Sequence, residues 1–411
     1  MKFNKIITTI FLFTFSLMVF GQQTEADANL KDGKRKSQIT PLPALSYSPE
    51  TGFTIGILGD YYFDLAEGNS AVSMSRFRLI SVYSTNKNIL FEPRWQLYFK
   101  DDDFRIIGRT LIRRYLDRNY GLGNDSNLEV INFAEKNEVW ESDTTNFYRF
   151  QTRQWFFESA FLKKVANNLY VGPQIETEVV WGLKNDSLQV LENNPSTSAE
   201  INASRLTGWR AGIGVNVSYD TRDRQNYPKK GTYIQLSTFE FMSATEFTDV
   251  SETAFGDLLF TSIELDARQY FNTFNDQVFA IRGVLNNRFG QKTEEIMYRG
   301  LSRFGGNDFV RGYFQGTYQD LNLVTFEAEY RAPLFWRIGA TVFGNAGQVY
   351  GQHSDFAFDA FHYSVGGGLR VNINKTETTN IRVDYAFALD KNSGFGGKPQ
   401  TGLYFFLGEA F

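Results

Sequence analysis

Residues 324–331, VTFEAEYR, alternate between apolar and polar side chains at every position. Successive side chains of a β-strand point to opposite faces, so this period of two predicts a strand with one apolar and one charged face. Residues 91–100 (FEPRWQLYFK) and 263–268 (IELDAR) repeat the pattern. The charged face would meet bulk water in a soluble sandwich and would line the lumen in a membrane-spanning barrel. The alternation by itself predicts strands and leaves both architectures open.

Segments of this kind recur along the chain from residue 41 to residue 411. We count about sixteen, an even number as expected of a bacterial single-chain barrel, in which roughly ten residues cross the membrane on a tilted strand. The predicted strands are 42–48, 53–63, 71–83, 88–100, 103–115, 147–163, 169–181, 206–220, 231–243, 254–270, 277–289, 320–331, 336–346, 361–373, 379–390 and 401–411. If the N-terminal side is periplasmic, the long connections all face outside: 114–146, 182–205, 290–319 and 347–360. Long external loops and short periplasmic turns are typical of outer-membrane barrels.

The composition agrees with a barrel in a membrane. The 411 residues include 40 Phe, 21 Tyr and 6 Trp, yet the mean hydropathy is −0.33. A transmembrane barrel combines an apolar outer face, aromatic girdles at both interfaces and a polar lumen. A soluble all-β secreted protein is the alternative, and the absence of Cys argues against it because exported soluble domains often carry disulfides. We therefore predict an all-β fold, a 16-stranded antiparallel transmembrane β-barrel, the strand number following from the roughly sixteen segments counted above.

The first residues are predicted to direct export. Residues 1–21 combine a basic start, an apolar run over residues 6–20 and a small residue at a plausible cleavage point, as in a secretory signal peptide. A retained membrane anchor is the alternative, although the run is short for spanning a bilayer. Residues 22–40 are polar, charged and aperiodic, which predicts a flexible periplasmic tail whose basic residues either are solvated or bind anionic lipid head groups. The barrel then comprises residues 41–411, in the outer membrane of a diderm bacterium and in contact with outer-membrane lipid.

The residue types exclude several chemistries. The chain has no Cys and 2 His, which rules out thiol catalysis and Cys-ligated metal and leaves too few ligands for a His-based metal site. A net charge of −4 gives no indication of nucleic-acid binding. Neither G-x-S-x-G nor H-E-x-x-H occurs. We predict a protein that is not an enzyme and takes no cofactor or metal, with an outer-membrane phospholipase or protease built from barrel residues as the open alternative.

A second informative stretch, residues 304–313 (FGGNDFVRGY), lies in the connection before the twelfth predicted strand. Its glycines allow tight backbone with positive φ, and Phe309 and Tyr313 can pack the tip. Arg311 supplies a rigid fork of five donors for a carboxylate or carbonyl. Such a loop suits a confined polar space, which predicts an external loop folded into the barrel. A solvated hairpin loop with a chance arginine is the alternative.

The seam between the first and last strands is predicted to be weak. Segment 42–48 lies among three prolines, Pro41, Pro43 and Pro49. Proline cannot donate to a strand ladder, and Gly402 and Gly408 in the last segment add little packing. A seam with few hydrogen bonds is a candidate lateral gate. Simple fraying of the terminal strands is the alternative.

Four motifs carry a family resemblance. Residues 310–313, VRGY, lie on the predicted inward loop, and EYRAP (329–333) and FGNAG (343–347) fall on the two strands after it. The residues of a predicted periplasmic turn are Asp220, Arg222, Asp223, Pro228 and Gly231. With these motifs, residues 41–411 resemble the outer-membrane protein assembly factor superfamily, the BamA- and TamA-like or bacterial surface antigen barrels. The turn also has a plain account, in which its carboxylates accept from backbone amides and from Arg222, and a calcium site there would have too few ligands.

The resemblance implies a lock between the loop and the barrel wall. Its residues are Arg311, Gly312, Tyr313, Glu329, Phe343 and Asn345. A loop folded inward would set Arg311 against Glu329 and Asn345, with Phe343 beneath. The family usually has Asp at the position of Asn345, so Arg311 would lose one ionic partner and keep Glu329. Phe411 is similar to the aromatic terminus that assembly machinery recognises on many outer-membrane barrels, which implies an assembly signal.

The resemblance also implies a function. Family members that fold or translocate proteins normally carry POTRA domains ahead of the barrel, whereas only a short tail precedes residue 41 here. We therefore predict a member lacking POTRA domains that assists insertion or translocation of proteins at the outer membrane, with a separate periplasmic or outer-membrane protein partner. Two alternatives stay open: a passive channel or solute transporter plugged by the loop carrying Arg311, and a structural anchor of a larger outer-membrane complex.

Overall fold

A computed structural model describes the barrel and the residues just before it. The described ranges are 30–31, 34–48, 51–69, 72–118, 120–125, 149–184, 203–224, 227–245, 258–293, 296–307, 309–374, 379–391, 393 and 398–411. The predicted signal peptide, residues 1–21, and residues 22–29 of the predicted tail lie outside the described residues. Among the described residues, no helix is long and apolar enough to cross a membrane.

Sixteen strands form a closed barrel in which each strand pairs antiparallel with the next and the last returns to the first. The strands are β1 (Gln38–Ser48), β2 (Gly52–Phe63), β3 (Ser75–Ser84), β4 (Ile89–Tyr98), β5 (Phe104–Arg118), β6 (Arg149–Ala166), β7 (Leu169–Lys184), β8 (Gly208–Asp220), β9 (Gly231–Thr245), β10 (Leu258–Asn272), β11 (Val278–Phe289), β12 (Asn322–Phe335), β13 (Ile338–Tyr350), β14 (His362–Asn374), β15 (Thr379–Ala388) and β16 (Thr401–Leu407). Short 3-10 helices lie at Lys100–Asp102, Ala203–Leu206, Tyr298–Gly300 and His353–Asp355. The predicted all-β, 16-stranded barrel is confirmed.

Most strand ends differ from the prediction by a few residues, and the differences at the two ends of the barrel have a structural reason. The first strand begins at Gln38 rather than at residue 42, because its pairing with β2 continues past the prolines. Residues 38–40 of the predicted tail are therefore part of the barrel. The last strand ends at Leu407 rather than at residue 411, because Gly408 has a φ of 95° and turns the chain out of the strand direction.

The two faces of the barrel wall differ as the alternation predicts. On β2, Ile55 and Ile57 face outward and are 57% and 65% exposed, whereas Thr54 and Asp60 face the lumen and are buried. Outward apolar side chains contact lipid in a membrane barrel, so their exposure needs no protein partner. The inward charges pair with one another, as Asp60 does with Arg78 of β3 through two hydrogen bonds of 2.6 and 2.7 Å.

The connection between β11 and β12 enters the lumen. We call its described residues between 296 and 321 the inward loop. Ser302–Arg303 pair with Gln319–Asp320 to form a two-stranded ribbon inside this loop. The loop and the wall share a buried hydrophobic cluster of Phe304, Val310, Tyr313, Tyr318, Leu323, Val349 and Ala388. The loop is therefore packed against β12, β13 and β15 from the inside.

The seam between β16 and β1 has less pairing than its neighbours. β16 pairs with β15 along its whole length, but it pairs with β1 only through Phe405 and Tyr47. Pro41 and Pro43 are two residues apart, so they remove donors from the same edge of β1. Since pairing between β1 and β2 is continuous, the sparse edge of β1 is the one that faces β16.

Candidate functional site

Glycines shape the tip of the inward loop. Gly305 and Gly312 have φ values of 92° and 108°, in the left-handed region that favours glycine. A side chain at Gly305 would place its Cβ 2.3 Å from the carbonyl oxygen of Phe314. At Gly312 the Cβ would lie 3.0 Å from the carbonyl carbon of Phe387 in the wall. The tip therefore requires glycine both to turn and to approach the wall closely.

Arg311 lies at the loop tip and is fully buried. Its Nη1 is 2.6 Å from Asp384 Oδ2 and its Nη2 is 2.6 Å from Glu329 Oε2, and Nη2 also donates to Glu327. The guanidinium carbon lies 3.4 Å from the centre of the Phe343 ring. One cation thus has three carboxylates and an aromatic face, a combination that offsets the loss of water around a buried charge.

The backbone of the tip is held as well. The carbonyl oxygen of Arg311 accepts hydrogen bonds from Ser364 Oγ at 2.5 Å and from Asn345 Nδ2 at 3.5 Å. Gly312 N donates to the hydroxyl of Tyr404 at 3.1 Å. The Tyr313 hydroxyl lies 2.8 Å from Asp390 Oδ2. Side chain and main chain of the tip are both engaged by the wall.

A second layer of arginines balances the three carboxylates. Arg331 Nε lies 2.7 Å from Glu329 Oε1, and Arg370 Nη1 lies 2.5 Å from Asp384 Oδ1. The members of this network are Arg311, Arg331, Arg370, Arg382, Glu327, Glu329, Asp384 and Glu409. Its formal charges cancel. The network connects the inward loop to β12, β14, β15 and the residues after β16.

The structure brings the predicted lock residues together. Glu329, Phe343 and Asn345 all contact Arg311 as the resemblance implied. Glu327 and Asp384 were missed, although both fall on the polar face of an alternating strand. Although Asn345 carries no charge, Arg311 still has three ionic partners, Glu327, Glu329 and Asp384. The locking role itself stays a prediction.

The inward loop also contacts the seam strand. Tyr404 of β16 is fully buried and meets the backbone of the loop tip. Gln400, next to β16, accepts hydrogen bonds through Oε1 from Phe314 N at 2.7 Å and from Thr317 Oγ1 at 3.1 Å. β16 is thus fastened from the lumen side as well as by β15.

We expect Tyr404→Phe to lower the free energy of unfolding by about 1–3 kcal/mol, because the buried Gly312 N–H loses its acceptor. Urea unfolding of the protein in lipid vesicles measures the change. Tyr385→Phe is the matched control, since Tyr385 lies on the neighbouring strand and is 43% exposed on the outer face. Equal effects of the two substitutions would contradict a specific contact between loop and β16.

A histidine clasp joins the external loops above the tip. His362 Nδ1 lies 2.5 Å from Asp390 Oδ2 and Nε2 lies 3.0 Å from the carbonyl oxygen of Asn124. The imidazole stacks on Tyr318, with ring centres 3.9 Å apart. Burial is the largest single influence on Asp390 and raises its pKa, but the hydrogen bond and electrostatic attraction of His362, together with hydrogen bonds from Tyr313 and Tyr318, outweigh it and lower the pKa of this carboxyl below its ordinary value.

The clasp predicts an acid-sensitive contact. A carboxyl with a lowered pKa stabilises the fold above its unfolded pKa of about 3.9, and this stability is lost as the pH falls through the folded-state value. We expect protease protection of the external loops to decrease as the pH is lowered below about 4. Asp390→Asn should remove most of this pH dependence. Asp359→Asn is the control, because Asp359 is exposed and lines the same surface pocket as His362 and Asp390. A pH profile unchanged by Asp390→Asn would disprove the role of this carboxyl.

The predicted periplasmic turn is held by its own side chains. Asp220 accepts from Arg222 Nε at 2.9 Å and Nη2 at 2.8 Å, and Asp223 Oδ1 accepts from Lys229 N at 2.9 Å. Pro228 is buried, and a Cβ at Gly231 would lie 2.4 Å from the Thr221 carbonyl oxygen. Among the described residues, no group of three His, Cys, Asp or Glu side chains is placed to hold a metal ion.

Phe411 lies inside the lumen. It is 7% exposed and packs with Tyr270, Val278 and Ala280 of β10 and β11. Its carbonyl oxygen accepts a hydrogen bond from Arg331 Nη2 at 3.1 Å. In the folded barrel this side chain is therefore sequestered, and its role as an assembly signal stays a prediction.

Comparisons with known proteins agree with this architecture. A sequence profile of the Omp85 superfamily domain matches residues 81–411. The structure is similar to BamA from Haemophilus ducreyi lacking POTRA domains 1–3, with a TM-score of 0.55 and 12% identity over 91% of this chain and 70% of that chain. It is also similar to CdiB from Acinetobacter baumannii, with a TM-score of 0.53 and 12% identity over 92% of this chain and 60% of that chain.

A third similar structure is CdiB from Escherichia coli, with a TM-score of 0.54 and 10% identity over 90% of this chain and 62% of that chain. This chain thus spans less than two thirds of either CdiB chain. At such identities the likeness is one of fold. No curated protein matches the sequence.

Proposed function

Because this chain belongs to the Omp85 superfamily, we propose that it assists the insertion or translocation of proteins at the outer membrane. The family consists of insertion or translocation barrels that are not enzymes, and the proposal assigns no catalytic reaction to this chain. The observation that supports it best is the seam, where β16 and β1 pair only through Phe405 and Tyr47.

Strand pairing explains how such a seam would act. Unpaired N–H and C=O groups at a strand edge are a template for another strand. A net gain of about 0.5–1.5 kcal/mol per hydrogen bond makes a seam with few bonds cheap to open. An incoming client strand could then pair with the exposed edge of β1 and enter the membrane sideways.

A folding assay tests the proposal. The purified barrel is reconstituted in lipid vesicles, and the folding rate of an unfolded client barrel is followed by its resistance to protease. We expect faster client folding than in vesicles without the protein. Equal rates in both kinds of vesicle would argue against an insertase and in favour of the passive channel, for which the lumen holds a cavity of about 580 Å³.

A protein partner is part of the proposal, as the sequence led us to predict. Copurification after mild crosslinking tests it. A stable partner without any effect of the barrel on client folding would favour the structural anchor instead.

A further inference from the structure

The lumen contains an open space beside the part of the wall that β3 to β10 form. A cavity of about 580 Å³ lies among the inward faces of β3 to β10. Arg76 is near the first residue of β3, Arg105 is near the first residue of β5, and Asp220 is the last residue of β8. These strand ends are the ones joined by the short turns, so the cavity lies toward the periplasmic mouth.

Arginine dominates the wall of this cavity. Seven arginines line it: Arg76, Arg78, Arg94, Arg105, Arg109, Arg222 and Arg268. Only two carboxylates, those of Glu158 and Asp220, are lining residues. The side chains of Arg94 and Arg109 are 44% and 37% exposed, so their guanidiniums are accessible from the cavity.

The carboxylates that bond to these arginines are shared. Glu92 is 2.8 Å from Arg94 and 3.4 Å from Arg109. Asp266 is 2.6 Å from Arg268 and 2.9 Å from Arg282, an eighth arginine. The carboxylates in these ion pairs are Asp60, Glu92, Asp102, Glu158, Asp220 and Asp266. Among the ion pairs of the described residues, six carboxylates therefore serve the arginines of this cavity, and Glu92 and Asp266 each serve two arginines.

Aromatic rings hold several of these guanidiniums in place. The guanidinium carbon of Arg222 lies 4.3 Å from the Tyr233 ring centre, and that of Arg268 lies 5.1 Å from the same ring. Arg105 lies 3.6 Å from the ring centre of Tyr170. Planar forks that are fixed before a ligand arrives match carboxylate and phosphate oxygens well. A cleft lined by one sign of charge also concentrates ions of the opposite sign.

We propose that this cavity binds a small multivalent anion carrying phosphate or carboxylate groups. The size suits a solute rather than a folded protein, since pockets for small molecules measure about 300–1,000 Å³. The site lies inside the barrel wall and away from lipid, so the ligand is a dissolved anion. The inference is independent of the proposed insertion function, and its failure leaves that function untouched.

Calorimetry with two probes tests the inference. Pyrophosphate and citrate are titrated into the whole purified barrel in detergent at constant chloride. We expect saturable binding of at least one probe, and the better probe identifies the group that the site prefers. The double variant Arg76→Gln/Arg94→Gln should bind about tenfold or more weakly, because each arginine supplies charged hydrogen bonds.

Arg114→Gln is the matched control, since Arg114 lies on the same strand as Arg105 and Arg109 but on the opposite face. It should leave the affinity unchanged. Absence of saturable binding of both probes, or an equal loss in the control, would overturn the proposal.

A measurement on the unaltered protein covers the case in which the double variant does not fold. Ligand that binds the folded state raises the melting temperature with concentration. We expect a larger rise with the bound probe than with potassium chloride of equal ionic strength. An equal rise in both salts would also overturn the proposal.

Discussion

Arg311→Glu is expected to destabilise the folded barrel by at least about 3–5 kcal/mol, the loss typical when one partner of a buried ion pair is removed. Arg311 is fully buried among Glu327, Glu329 and Asp384. A glutamate at this position would add a fourth negative charge at a site that is buried from solvent. The free energy of unfolding in urea measures the effect, and single-channel conductance should rise as the inward loop leaves the lumen.

Charge reversal at the partner gives a second arm. Glu329→Arg alone should also destabilise the barrel, and the double swap should recover only part of the loss because Glu327 and Asp384 still face the new glutamate. Lys229→Glu is the control, since the pair of Lys229 and Asp276 lies on exposed turns and should contribute little. If each single reversal is harmless and the double swap rescues nothing, Arg311 does not lock the loop.

A disulfide across the seam is expected to abolish client insertion, provided that the proposed function is correct. Tyr47 and Phe405 are direct partners between β1 and β16, and Cα atoms of antiparallel partners lie about 4.5–5.5 Å apart, within the range of a disulfide. The chain has no Cys of its own, so Tyr47→Cys/Phe405→Cys forms the sole bridge. Insertion should fall to the level of empty vesicles and return on reduction.

The control for this bridge shares one of its cysteines. Phe405 also pairs with Val383 of β15, so Val383→Cys/Phe405→Cys fixes a strand pair that is already continuous. This variant should keep its activity when oxidised. Full activity of the oxidised seam variant would show that clients do not pass between β1 and β16.

The sequence predicts the barrel well because its signal is local. Each strand can be identified from the alternation of apolar and polar side chains. The number of strands and the lengths of the loops follow from these strand positions. The ends are harder: Pro41 reads as a boundary although pairing continues to Gln38, and the turn at Gly408 depends on one backbone angle.

The site is predictable only in part. Glu329, Phe343 and Asn345 were found because the resemblance named their strands and parity gave their face. Asp384 and Tyr404 lie 73 and 92 residues from the loop residues they contact. Their contacts depend on how far the inward loop extends into the lumen and on how the wall curves around it. A short-range sequence pattern does not predict either of these.

The hydrogen bonds that the inward loop makes with Tyr404 and Gln400 have a mechanical consequence. If β16 moves away from β1, it must either lose these hydrogen bonds or pull the inward loop with it. Opening of the seam is therefore coupled to displacement of the loop that occupies the lumen. A client strand that separates β16 from β1 would at the same time loosen the contacts of the inward loop with the wall.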